Sequence, residues 1–139
     1  MSFVFVKGTV FLDSRATSQQ GVKPKYFLGL NDANNEDDKI VAFVFNTEKF
    51  PEKLIIGCNK DKEKYFFINK QFSFQTAPTS LMLNRAYYFY LEELMTKRFN
   101  IGETIGDILA RQIKNCIKVD NLEKIGYDLI RNSFDIKNK

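Results

Sequence analysis

A carboxylate, a glycine, a cation and a proline lie close together near the start of this chain. The apolar run Gly8-Thr9-Val10-Phe11-Leu12-Asp13 ends in a carboxylate, and after a stretch of small polar residues comes Gln19-Gln20-Gly21-Val22-Lys23-Pro24. A cation held between a glycine and a proline suits a phosphodiester. Cleaving RNA through its own 2′-OH requires the hydroxyl to lose a proton, the phosphorane charge to be stabilised and the 5′ oxygen to gain a proton. Lys23 fits the second task, a neighbouring hydroxyl or amide can orient the phosphate, and no metal is needed. The same residues also make an ordinary structural turn. Gly21 then supplies flexibility, Pro24 stiffens entry into the next strand, and Asp13 and Lys23 lie at the surface.

The 139 residues contain no histidine. This excludes Ser-His-Asp and Cys-His nucleophiles, histidine metal ligation and histidine acid–base pairs. Cys58 and Cys116 are far apart and form no CxxC, so no zinc site is expected, and a reduced pair is the expectation, with a disulfide left open. No metal or cofactor is implied. A formal net charge of +4 permits an anionic partner without demanding one, because the basic residues are spread along the chain. The densest group, Lys60, Lys62 and Lys64, alternates with Asp61 and Glu63 and reads as a solvated turn. No signal-like leader and no bilayer-length apolar run is present, so no membrane association and a cytoplasmic location are expected.

The elements that must position these groups follow from the hydrophobic pattern. One domain is expected over 1–139, and 14 Phe with 6 Tyr favour β-rich packing. Strands are expected over Phe3 to Asp13, Lys25 to Leu30, Lys39 to Phe45 and Leu81 to Leu91. A hairpin is expected from Leu54 to Cys58 and Lys64 to Ile68. Ser14 to Lys23 reads as a polar loop and Asn31 to Asp38 as an acidic one. A short helix is expected over Glu92 to Lys97. Thr104 to Lys118 reads as an amphipathic helix carrying Ile105, Ile108, Leu109, Ile113, Cys116 and Ile117 on one face. A last helix starts near Asp120 and carries Leu122, Ile125, Leu129 and Ile130, and the tail from Asn132 is expected to fray. Strands first and helices last imply α+β. The short strands suggest an antiparallel, SH3-like small barrel over about residues 3–91, followed by C-terminal helices over about 92–132.

The stretch 7–47 resembles the MazF/PemK-type toxin family of small barrel-like endoribonucleases. Gly8 to Asp13 is similar to that family's first strand. Thr17-Ser18-Gln19-Gln20-Gly21-Val22-Lys23-Pro24 is similar to its loop, and Val41 to Thr47 to its third strand, which ends in a functional threonine. The resemblance implies that Lys23 and Thr47 are catalytic, Lys23 stabilising the phosphorane or protonating the leaving group and Thr47 positioning the phosphate. It makes Asp13 and Gln19 loop supports, and places a polar residue near Thr79 or Ser80 within reach of the site. It also implies single-stranded RNA as substrate, a homodimer, and an antitoxin that blocks the groove. Lys23 stands where the family has arginine. A lysine keeps the charge but loses the planar bidentate fork.

Three further features are open in two directions. Phe72 and Phe74 alternate, so on an edge strand they can stack bases while Gln75 bonds base edges; otherwise they close the core. Tyr87-Tyr88-Phe89-Tyr90 is either a partner surface or a strand with aromatics on both faces. Arg85 interrupts an apolar segment and reads as solvent-facing or site-lining, where it can share phosphate binding with Lys23. The rival function is a non-catalytic barrel module that binds nucleic acid or a protein partner.

Overall fold

Ile40, Ala42 and Val44 alternate with Val41, Phe43 and Phe45. A strand apolar on both sides is stable only between two cores. In the computed structural model, which describes residues 4–18, 21–59, 65–118 and 122–135, this segment is β3, Lys39–Thr47. It is preceded by β1, Thr9–Ser18, and β2, Gly21–Gly29. It is followed by β4, Gly57–Asn59; β5, Tyr65–Ile68; β6, Thr79–Met82; and β7, Tyr87–Tyr90. A single helical turn, α1, Leu91–Leu94, leads to β8, Phe99–Thr104, and the chain ends with α2, Asp107–Cys116, and α3, Lys124–Asp135.

The fold is α+β, with an eight-stranded antiparallel sheet in the order β4-β5-β6-β3-β2-β1-β8 and β7 also beside β3. β2 lies along one edge of β3, while β6 and β7 follow one another along the other. Among the described residues no pairing joins the end strands β4 and β8, so the sheet is open.

One core contains Val10, Leu28, Val41, Phe43, Phe45 and Leu81, covered by Ala110, Ile113, Ile130 and Phe134 of the helices. The other contains Phe11, Phe27, Ile40 and Ala42, covered by Phe5, Leu91, Leu94 and Phe99. Gly29 is fixed by the second core: a Cβ there would stand 2.5 Å from the Phe5 ring. The buried Asn31 ties the next loop to β3, its Oδ1 accepting from the Val41 N–H at 2.8 Å and its Nδ2 donating to the Lys39 carbonyl at 2.9 Å.

Several expected boundaries move. The strand expected over 81–91 is two strands, because the turn after Met82 lets the chain re-register along β3. The amphipathic helix begins at Asp107, not Thr104, since Phe99–Thr104 pairs with β1 and Gly106, at φ 92°, breaks the chain direction. Ile108 consequently points to solvent, at 78% exposure. α3 runs on to Asp135, because Phe134 is fully buried in the first core. The turn at 60–64 lies outside the described residues.

The cysteines, expected as a reduced pair, are bonded to each other: Cys58 in β4 is joined to Cys116 at the end of α2, with Cα atoms 5.7 Å apart. Packing α2 against β4 brings together two residues separated by 58 positions, which spacing alone does not reveal. No helix among the described residues is long and apolar enough to cross a membrane. In the chain-entropy model, closing a loop of this length contributes about 4 kcal/mol. The double variant Cys58→Ser/Cys116→Ser should lose about that much stability in urea unfolding. A thiol reductant should lower the wild-type midpoint similarly and leave the variant unmoved; an unchanged wild-type midpoint would show that the bond contributes nothing.

Candidate nucleic-acid interface

The stretch expected as a polar loop is mostly ladder. Ser18 pairs with Gly21, Thr17 with Val22 and Ala16 with Lys23, so β1 and β2 form one long hairpin. Alternating small and β-branched residues on both arms (Ala16, Thr17, Val22) tolerate a pleated backbone, and this outweighs the polar composition. Gln19 lies outside the described residues. Asp13 is in the body of β1 and Lys23 is an exposed residue of β2.

Asp13 is almost wholly buried, its side chain 2% exposed. A bulge follows it in β1, and its Oδ1 accepts from the Arg15 N–H at 3.0 Å, satisfying a donor that the bulge takes out of the ladder. Arg98, just before β8, grips both oxygens: Nε donates to Oδ1 at 2.7 Å and Nη2 to Oδ2 at 2.9 Å. Ser14 holds the Arg98 backbone in place through its N–H and its hydroxyl, both donating to the Arg98 carbonyl. The hydrogen bonds it donates to Asp13 push the Arg98 guanidinium above its ordinary pKa. Asp13 is therefore the buried anchor of the β1–β8 junction, not the surface residue of an ordinary turn.

Strand alternation puts Lys23, Lys25 and Phe27 on one face of β2. Phe27 pairs with Val44, and continuing that register brings Lys25 opposite Asn46, where Nζ donates to Oδ1 at 3.4 Å. Across β3 on this face, Tyr87 packs edge-on against Phe27 with ring centroids 5.3 Å apart. The Arg85 guanidinium lies 4.9 Å over the Tyr87 ring. Arg85 is exposed in the turn between β6 and β7, a solvent-facing position, and it lines a cleft with Asn84, Tyr87, Tyr88 and Glu123. In that cleft burial, aided by Glu123, pushes the Tyr88 phenol above its ordinary pKa, and its hydroxyl is buried with no hydrogen-bond partner among the described residues.

Thr47, the last residue of β3, pairs with Thr79 and is exposed. By alternation it shares the opposite face with Phe45. Lys23 and Thr47 therefore stand near the same end of neighbouring strands but on different faces. The fold groups Lys23 with Lys25, Asn46 and Arg85 instead.

Phe72 and Phe74 sit in a loop, not on an edge strand, and pack half-buried against the first core. Phe74 lies 4.8 Å from Phe45 and 5.2 Å from Tyr26 between ring centroids, and Phe72 stacks beyond it at 6.1 Å. Ser73 anchors the loop to β8 by hydrogen bonds from its N–H and hydroxyl to Glu103. Gln75 is buried and committed. Its Oε1 accepts from the Gln71 and Phe72 N–H groups at 2.9 and 3.0 Å, and its Nε2 donates to the Ile68 carbonyl and Thr79 Oγ1 at 3.2 and 2.9 Å. Both phenylalanines thus close the core, and Gln75 organises the loop that carries them.

Lys25, Asn46 and Arg98 are the members of this surface that the sequence pattern did not single out. The two-residue step from Lys23 to Lys25 is a usable signal, since it puts both cations on one strand face. Among the described residues no cluster of Cys, Asp or Glu is disposed to hold a metal ion. Compared with protein-family models, curated proteins and solved structures, the chain matches none.

Removing Gln75 strips partners from four buried or half-buried polar groups. Gln75→Ala should lower stability by about 2–3 kcal/mol in urea unfolding and loosen the Phe72–Phe74 loop. A change within a few tenths of a kcal/mol would mean that water replaces the amide without loss.

Proposed function

We propose that the protein is an RNA-binding module that lays a single strand across the face carrying Lys23, Lys25 and Arg85. The observation that supports this most is that Lys23 and Lys25 of β2 and the sequence-distant Arg85 come together on one side of the β2–β3–β7 ladder beside the half-buried ring of Tyr87, which packs on the buried Phe27. Phosphate contacts supply most of the affinity of such surfaces, and base–aromatic contacts are tolerant of sequence.

The catalytic form of this proposal follows the MazF/PemK resemblance, with its SH3-like barrel, homodimer, antitoxin and cytoplasmic location. Lys23 would stabilise the phosphorane and Thr47 would position the phosphate from the neighbouring strand end. Their opposite faces favour the binding form, because groups acting on one phosphorus must converge within hydrogen-bond reach. The bonded Cys58–Cys116 pair also weighs against the cytoplasm, where thiols are kept reduced.

Fluorescence anisotropy with a labelled mixed-sequence oligoribonucleotide tests the binding form. Three phosphate contacts predict a slope of log affinity against log salt of about −2 for a single strand. No binding at low salt rules out an RNA module. Incubating the same RNA with protein in EDTA, with Lys23→Ala in parallel, tests the catalytic form. Discrete cuts by the wild type alone establish a metal-independent endoribonuclease using Lys23; an intact substrate leaves the binding module.

A further inference from the structure

We infer that the Arg98–Asp13 pair is a positioning device that keeps the Lys25 ammonium available to a phosphate of the bound strand, an inference that rests on the RNA-binding face proposed above. Asp13 and Lys25 are directly opposed in the β1–β2 ladder. Opposed unlike charges on adjacent antiparallel strands ordinarily close on one another, since their Cβ atoms are only about 5 Å apart. Here they do not. Arg98 occupies both Asp13 oxygens, and the Arg15 N–H takes a further site on Oδ1. A carboxylate offers about four acceptor positions, so little capacity is left, and the group is enclosed.

Lys25 leans the other way, onto the neutral amide oxygen of Asn46. Among the described residues no carboxylate lies within ion-pair distance of it. An ammonium has three donors and Asn46 takes one. Lys25 is only half-buried, so the remaining donors can meet an oxyanion without a large desolvation cost. Arg85 lies beyond β3 on the same face, two strand spacings or about 10 Å from β2. A single phosphate ion cannot bridge that span, whereas successive phosphates of one strand can. The ligand is therefore a polynucleotide running across the strands, with Lys25 and Arg85 on its backbone.

The test uses the full chain and one labelled oligoribonucleotide, with melting curves confirming that each variant folds. Lys25→Met should weaken binding several-fold and make the salt slope shallower by about 0.7. Arg98→Met should cause at least the same loss, because Asp13 then captures Lys25, and adding Lys25→Met to it should change nothing further. Asp13→Asn/Arg98→Met removes the captor and its guard together and should bind like the wild type; a merely structural pair predicts no such rescue. Removing both charges also avoids an unpaired buried carboxylate, so this variant keeps the test alive if Arg98→Met does not fold. Unchanged binding by Lys25→Met, or a double variant as weak as Lys25→Met, overturns the inference while leaving the RNA reading standing. Failure of the wild type to bind at low salt overturns both.

Discussion

Everything in this fold depends on β3 being apolar on both faces. A strand so composed has no solvent side, and its two rows of side chains require two separate coverings. The helices α2 and α3 supply one, while Phe5, α1 and the β8 end supply the other. The open sheet is the result: β3 is flanked by β2 along one edge and by β6 and β7 in sequence along the other, with the remaining strands added outward. The polar ends of the same strands fall just past the cores, where Lys25 and Asn46 take over from Phe27 and Val44.

Three buried amides do work that ladder hydrogen bonds do elsewhere. Asn31 closes the loop before β3, Gln75 shapes the loop before β6, and Asn59 accepts from the Ile55 N–H and donates back to the Ile55 and Gly57 carbonyls. An amide carries both donors and an acceptor with no net charge. It can satisfy irregular backbone inside a core without the desolvation cost of an ion. A buried glutamine in an unknown chain is therefore as much a loop organiser as a base reader.

What was legible in the sequence was what periodicity records. β3, the helical turn after Tyr90 and, in the helices, the burial of Ile113, Cys116 and Ile130 follow from spacing, whereas Ile108 and Ile125, expected on the same apolar faces, are exposed and Phe134, expected in a fraying tail, is buried. β8 did not, because only Phe99 of Phe99–Thr104 is buried and an edge strand needs little hydrophobic pattern to pair. The β1–β2 hairpin was obscured by composition, since polar residues on an extended ladder look the same as polar residues in a loop. The candidate surface was less legible still. Lys23 and Arg85 stood out individually, but Lys25 acquires meaning from Asn46 across one strand gap and from Asp13 across the other. Arg98 acquires it from a carboxylate 85 residues away. Long-range pairing of charges leaves no mark on local patterning.

The Cys58–Cys116 bond has a mechanical consequence. Tension applied to the two chain ends would run through β1 to β4, cross the sulfur bridge at the end of α2 and leave through α3. The strands β5 to β8 and the body of α2 would sit on a closed loop outside the line of force. The chain between the cysteines, a sequence separation of 58 and so about 200 Å when extended at ~3.4 Å per residue, would add nothing to the molecule's reach while the bridge is intact. Oxidation state thus sets how far this chain can be drawn out, and which strands ever feel the load.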